Sequence, residues 1–210
     1  HCTCRRQRQM CIRDSKRRVL TLPQWDTDSN YVYDMLVAHE VGHALHTPNR
    51  NYKLEEKYKD IPHDYVNVVE DARIERLMKQ RFAGLNRDFY KAYEELHANN
   101  FFEVDDEDVN DLKLVDRINL YFKIGAYLCI DFNDEENQII TEITQAETFD
   151  QVLDISKKLY ALSQQQKQEV EALELQQLAE LKQGIESEDG TPVNPVTLEE
   201  TDEEDDDALE

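Results

Sequence analysis

The sequence predicts a mainly α protein: a helical domain entered through a short N-terminal β-strand or small sheet and followed by a helical, acidic, partly disordered tail. Three observations carry this. Apolar residues recur at three- and four-residue spacing through one window after another, which is the helical period. Glycine and proline number only five each among 210 residues, too few to punctuate a chain of many short strands. A single stretch near the N-terminus alternates with β-branched residues in the strand manner.

Composition narrows the classes of function. The formal net charge is −22, which argues against binding nucleic acid or an anionic membrane over most of the surface. There is no run of about 18 apolar residues to span a bilayer and no apolar core of a signal peptide. A soluble cytoplasmic protein is therefore expected. The length suffices for one domain with a core plus an appendage. Three of the four cysteines, Cys2, Cys4 and Cys11, fall in the first eleven residues. There, Met10-Cys11-Ile12-Arg13-Asp14-Ser15 resembles the translation of a transposase adapter from sequencing libraries. Residues 1–15 are accordingly set aside from fold reasoning as a sequencing-adapter artefact. Cys129, in the apolar run Tyr127-Leu128-Cys129-Ile130, is expected to be a buried thiol in a reducing compartment.

The domain expected over residues 16–163 begins with a strand at 17–22, closed by Pro23, after which Trp25 reads as core. Asp26-Thr27-Asp28-Ser29-Asn30 offers N-cap candidates for a helix over 31–45, with Tyr33, Leu36, Val37, Val41 and Ala44 among its apolar positions. Thr47-Pro48 ends it, because the residue before proline is pushed out of the α region. Gly42 costs a helix about 1 kcal/mol against alanine and so points to close approach by another backbone, by substrate or by a neighbouring helix. Residues 49–62 read as a loop with about one helical turn. A second helix spans 64–78, and wound at about 100° per residue it gathers Asn67, Ile74, Leu77 and Met78 on one face with Glu70 and Asp71 on its flanks. Further helices are expected over 87–98, with Phe89, Tyr93 and Leu96 inward, and over 109–127, where Leu112, Val115, Ile118, Asn119 and Phe122 share a face. Asn133 and Thr148 read as caps for helices at 134–145 and 149–163. From 164 to 210 the composition turns Gln/Glu-rich and helical, then to a self-repelling acidic tail or linker.

The first of these helices carries the chemistry. His39-Glu40-Val41-Gly42-His43 places two imidazoles four residues apart on one face, able to share one metal ion, with Glu40 beside them. That layout suits Zn²⁺ with an open position for water. Glu40 is then placed to act as general base toward water whose pKa the metal lowers to about 7. The second helix supplies the missing ligand. Two acids flanking an apolar stripe are costly unless a positive charge waits inside, and Asp71 and Glu70 are both candidate third ligands, with Asp71 favoured. Glu75, one turn after Asp71, is placed to hydrogen-bond a ligand histidine, and the acid that does not bind metal is expected on Arg73 or a histidine. His46 is a candidate cleft residue with packing or hydrogen bonding as its plainer role. His63 is a candidate for stabilising an oxyanion, although a histidine at a helix start is more often just solvated. Asn49 stands where a His-Glu-x-x-His-x-x-Gly-x-x-His protein has its third histidine, which removes that class.

Together, His39-Glu40-Val41-Gly42-His43-Ala44-Leu45-His46-Thr47-Pro48 and Asn67-Val68-Val69-Glu70-Asp71-Ala72-Arg73-Ile74-Glu75 resemble the metallopeptidase domain of large tailed bacteriophages. Bacterial proteins with a C-terminal von Willebrand A domain share it, and these are similar in turn to a cobaltochelatase subunit family that works beside AAA+ ATPases. Val115-Asp116-Arg117-Ile118-Asn119 and Ala146-Glu147-Thr148-Phe149 extend the resemblance across roughly residues 16–163. The resemblance implies a zincin-like helical domain with His39 and His43 as zinc ligands, Glu40 as base and a third ligand from Glu70-Asp71. It also implies a von Willebrand A domain downstream and an AAA+ ATPase partner. Two readings of function follow: a zinc metallopeptidase hydrolysing peptide bonds, or a non-catalytic metal-binding module serving an AAA+ machine or a phage assembly.

Overall fold

The computed structural model describes residues 30–105 and 108–186, together with the backbone of 12–14 and 19–21. Trp25, Cys2, Cys4, Cys11 and the acidic tail beyond 186 lie outside the described residues. Two compact units are present, residues 1–167 and 168–210. Strand β1, Ile12–Asp14, falls within the stretch set aside as adapter-like; β2, Val19–Thr21, falls within the stretch read as a strand. They pair antiparallel with Ile12 opposite Thr21 and Asp14 opposite Val19.

The remaining architecture is helical: α1 (Tyr31–His46), α2 (His63–Arg81), α3 (Leu85–Ala98), α4 (Leu114–Ile124), α5 (Asp134–Gln145) and α6 (Phe149–Glu186). Helix α2 is the hub, in contact with α1, α3, α4 and α5. This explains why it buries Val66, Val69, Ile74 and Met78 together with the polar Glu70, Arg73 and Glu75. The apolar core comes in two clusters. One joins Val66, Val68 and Val69 of α2 to α4, α5 and the first turns of α6. The other joins α1 to α3, the 101–109 connection and the buried face of α4.

Local rules account for most boundaries. Helix α1 stops at Thr47, whose extended backbone (φ −89°, ψ 119°) is what Pro48 demands of its predecessor. Helix α5 starts with a capping box in which Asn133 Oδ1 accepts the Glu136 N–H and Glu136 Oε2 accepts the Asn133 N–H. The helix expected over 109–127 is in fact two pieces. A short 3₁₀ turn, Val109–Asp111, is capped by Asp108, and extended backbone at Lys113 then delays α4 until Leu114. Helix α6 runs on past 163, so the expected core helix and the Gln/Glu-rich piece are one element. In the second unit its turns expose Val170, Leu173, Leu175 and Leu178. None of the described helices is long and apolar enough to cross a membrane.

Two expectations need correcting, and a third holds. Cys129 is exposed rather than buried, because α4 ends at Ile124 and the non-helical chain beyond it half-buries Leu128 and Ile130 while turning the residue between them outward. Of the apolar positions named on α1, only Leu36 is fully buried; Tyr33 and Val41 are exposed, and the inward face is Val32, Met35, Leu36, Ala38 and Gly42. Gly42 is indeed a close-approach point, and the neighbour is a helix. A Cβ there would stand 3.0 Å from both Ile74 Cδ1 and Met78 Cγ, so α1 crosses α2 at its glycine.

Candidate metal centre

That crossing brings the chemistry of the two helices together. His39 and His43 are four residues apart on α1 and lean toward α2 on either side of the Gly42 contact. His39 Nε2 and His43 Nε2 lie 3.2 Å apart. Asp71 Oδ1, from α2, is 3.2 Å from His43 Nε2 and 3.6 Å from His39 Nε2. The three side chains are mostly buried, with exposures of 15–19%, and form a group able to hold a metal ion. A triangle with those sides has its corners about 1.9 Å from its centre. A point lifted about 0.8 Å out of the plane is therefore about 2.1 Å from all three donors, the Zn–N and Zn–O bond length. Two imidazoles and one carboxylate are a donor set suited to a divalent ion such as zinc.

Each of the three side chains is held from behind. Glu75 Oε1 accepts from His39 Nδ1–H at 3.1 Å, which leaves His39 Nε2 to face the centre. The same oxygen accepts from the Tyr93 hydroxyl at 2.7 Å, and Lys79 Nζ lies 3.3 Å from Oε2. Lys123 of α4, almost fully buried, sits 3.4 Å from Asp71 Oδ2 and leaves Oδ1 to the histidines. Behind His43, Nδ1 is 2.9 Å from Thr47 Oγ1, which in turn donates to Glu70 Oε1 at 2.5 Å.

The electrostatics follow from burial and pairing. Burial works against the charge on Glu75, yet Lys79, the His39 hydrogen bond and Lys123 overcome it and hold the carboxyl down at about 2. Asp71 likewise resists its burial; His39, Lys123 and His43 keep it below the ordinary carboxylate range. Burial opposes charging His39, but Asp71 and Glu75 outweigh it and raise the imidazole above its usual value. The Tyr93 phenol is pushed well up by burial and by the adjacent Glu75 charge, so it stays a donor.

Glu40 lines a cavity of about 60 Å³ with His39, Asp71, Tyr93 and Lys123, walled by the apolar Met35, Leu36, Leu96, Phe101 and Phe102. A larger open cleft, about 410 Å³, includes Glu75, Arg76, Lys79 and Phe122 but none of the ligand group. His39, Asp71 and Glu40 therefore border the smaller space.

The other residues singled out in the sequence fall elsewhere. Glu70 is not at the centre: it is fully buried, and Arg73 grips it with Nε at 2.8 Å and Nη2 at 2.6 Å. An adjacent residue on a helix points about 100° away, and Asp71 already takes the inward direction. His46 is the last residue of α1; its carbonyl accepts from Arg73 Nη2 at 3.0 Å, and its ring is absent from the cavity wall. Burial, then Arg73 and Arg81, lower its basicity. His63 is exposed at the first position of α2, beside the Tyr52 ring. Eight residues of helix, about 12 Å, separate it from Asp71, which removes the oxyanion role considered for it. Thr47, Tyr93 and Lys123 were not singled out for chemistry by their sequence. Tyr93 reads as core, Lys123 lies beside an apolar stripe, and a threonine before proline reads as a helix stop.

No family model, curated protein or solved structure matches the chain.

Proposed function

We propose that the chain is a zinc-dependent metallopeptidase domain of zincin-like arrangement, holding zinc on His39, His43 and Asp71 and hydrolysing peptide bonds. The observation that carries this is the convergence of two Nε2 atoms and one carboxylate oxygen beside a cavity that also contains Glu40. Zinc in such a site supplies Lewis acidity toward an amide carbonyl and makes water more acidic. The rest is work for side chains. Glu40 accepts the proton of the attacking water and passes it to the departing amine nitrogen, so the step closes without a stranded charge. Glu75 and Thr47 orient the two imidazoles. Met35, Leu36, Leu96 and the two phenylalanines keep bulk water from the cavity and strengthen every charge interaction inside it.

The test is metal analysis of the purified chain followed by cleavage of a fluorogenic casein substrate. About one zinc per chain is expected, and Glu40→Gln retains the zinc while lowering cleavage by roughly 10²–10⁴-fold. A wild-type chain that takes up no zinc ends the reading. One observation favours the second reading, a non-catalytic metal-binding module: a cavity of about 60 Å³ is well below the roughly 300–1,000 Å³ of ordinary ligand pockets. In that case zinc is bound and Glu40→Gln changes nothing.

A further inference from the structure

Behind His43 the hydrogen bonds run in a series from Nδ1 through Thr47 and Glu70 to Arg73. Arg73 meets Glu70 through two donors, both partners being only 3% exposed. Glu70 is thus an acceptor at both of its oxygens. Its Oε1 lies 2.5 Å from Thr47 Oγ1, and the only hydrogen available for that contact is the threonine's own. With its hydrogen committed, Thr47 Oγ1 can offer His43 only a lone pair, so the 2.9 Å contact with Nδ1 requires that Nδ1 carry the proton. With Nδ1 turned to Thr47, Nε2 is the atom that faces His39 and Asp71.

We propose that Thr47, Glu70 and Arg73 are positioning residues that set the tautomer and ring orientation of His43. The arm is built into the backbone as well. The Thr47 N–H donates to His43 O at 3.0 Å, so one residue holds both the main chain and the ring of the histidine. Pro48 drives Thr47 out of helical geometry. Arg73 donates further to His46 O at 3.0 Å and to Glu147 O at 3.1 Å. These anchor the end of α1 and the junction between α5 and α6. The two ligand histidines are therefore served differently: His39 directly by Glu75, His43 by Glu70 through a hydroxyl. The functional part of this inference rests on the zinc reading; the tautomer does not.

The test uses the full chain and two readouts. In the metal-free protein, long-range ¹H–¹⁵N spectra of the imidazoles report which His43 nitrogen is protonated. Wild type and Thr47→Ser are expected to show a protonated Nδ1, and Thr47→Val, of nearly equal volume, to lose it. Zinc affinity by competition with a chromophoric chelator is expected to fall about 10–100-fold in Thr47→Val and to return in Thr47→Ser. A bare Nδ1 in the wild type overturns the proposal whether or not zinc binds. Wild-type zinc affinity in Thr47→Val overturns the positioning role. A chain that binds no zinc but shows the expected tautomers sinks the metallopeptidase reading and supports the hydrogen-bond assignment.

Discussion

Replacing Arg73 by methionine is the sharpest available perturbation of this fold. The guanidinium makes four hydrogen bonds, two to Glu70 and one each to the carbonyls of His46 and Glu147. Methionine keeps the bulk of the stem and removes all four. Breaking a buried pair and leaving the partner charge behind costs about 3–5 kcal/mol, and each buried carbonyl stripped of its donor adds about 1–3 kcal/mol unless water reaches it. A loss of about 5 kcal/mol is expected, a large part of the roughly 5–15 kcal/mol that stabilises a domain. With a urea m-value of about 2 kcal/mol/M, the unfolding midpoint should fall by about 2–3 M. The double variant Glu70→Met/Arg73→Met carries no stranded charge and should recover much of the loss. A midpoint within about 0.5 M of wild type for Arg73→Met, or a double variant as unstable as the two single losses combined, refutes the reasoning.

Two further outcomes follow from the same geometry. Glu75 is held near 2 in the folded chain against an ordinary value of 4.5; its carboxylate thus adds stability that is fully present above about pH 4.5 and lost as pH falls toward 2. In chelator-treated protein, Glu75→Gln should flatten the acid limb of the melting temperature between those limits, and an unchanged limb contradicts the pairing. Gly42→Val inserts a branched side chain where even a Cβ would stand 3.0 Å from Ile74 and Met78. Overpacking of about 1–3 kcal/mol is expected by urea titration, and equal or greater stability would show that α1 does not cross α2 there.

Much of the centre was legible because it depends on local spacing. His39, Glu40 and His43 fall on one helical face by periodicity alone, and the same argument sends Glu70 and Asp71 in different directions. Deciding which acid turns inward required knowing where Arg73 points, and that depends on the junction between α5 and α6, more than 70 residues downstream. The buried face of α1 was hidden for another reason. Val32, Met35 and Leu36 on one side are matched by Tyr33, Val41 and Leu45 on the other, so the pattern is apolar nearly all round and does not select a face. Lys123 was invisible because its place at the cavity is set by the rotation of α4 against α2. The end of α4 at Gly125 likewise decides that Cys129 sits outward, which no reading of its apolar neighbours could anticipate.

The crossing of α1 and α2 has a topological side. His43 and Asp71 are 28 residues apart, and the chain between them is mostly the irregular stretch around the 3₁₀ turn Tyr52–Leu54. An ion shared by the two side chains closes that stretch into a ring, as a disulfide would. For a loop of this length the lost freedom of the unfolded chain corresponds to about 3–4 kcal/mol. The pair of helices would thus act as a clasp, with an ion bound between them fastening α1 to the hub of the fold.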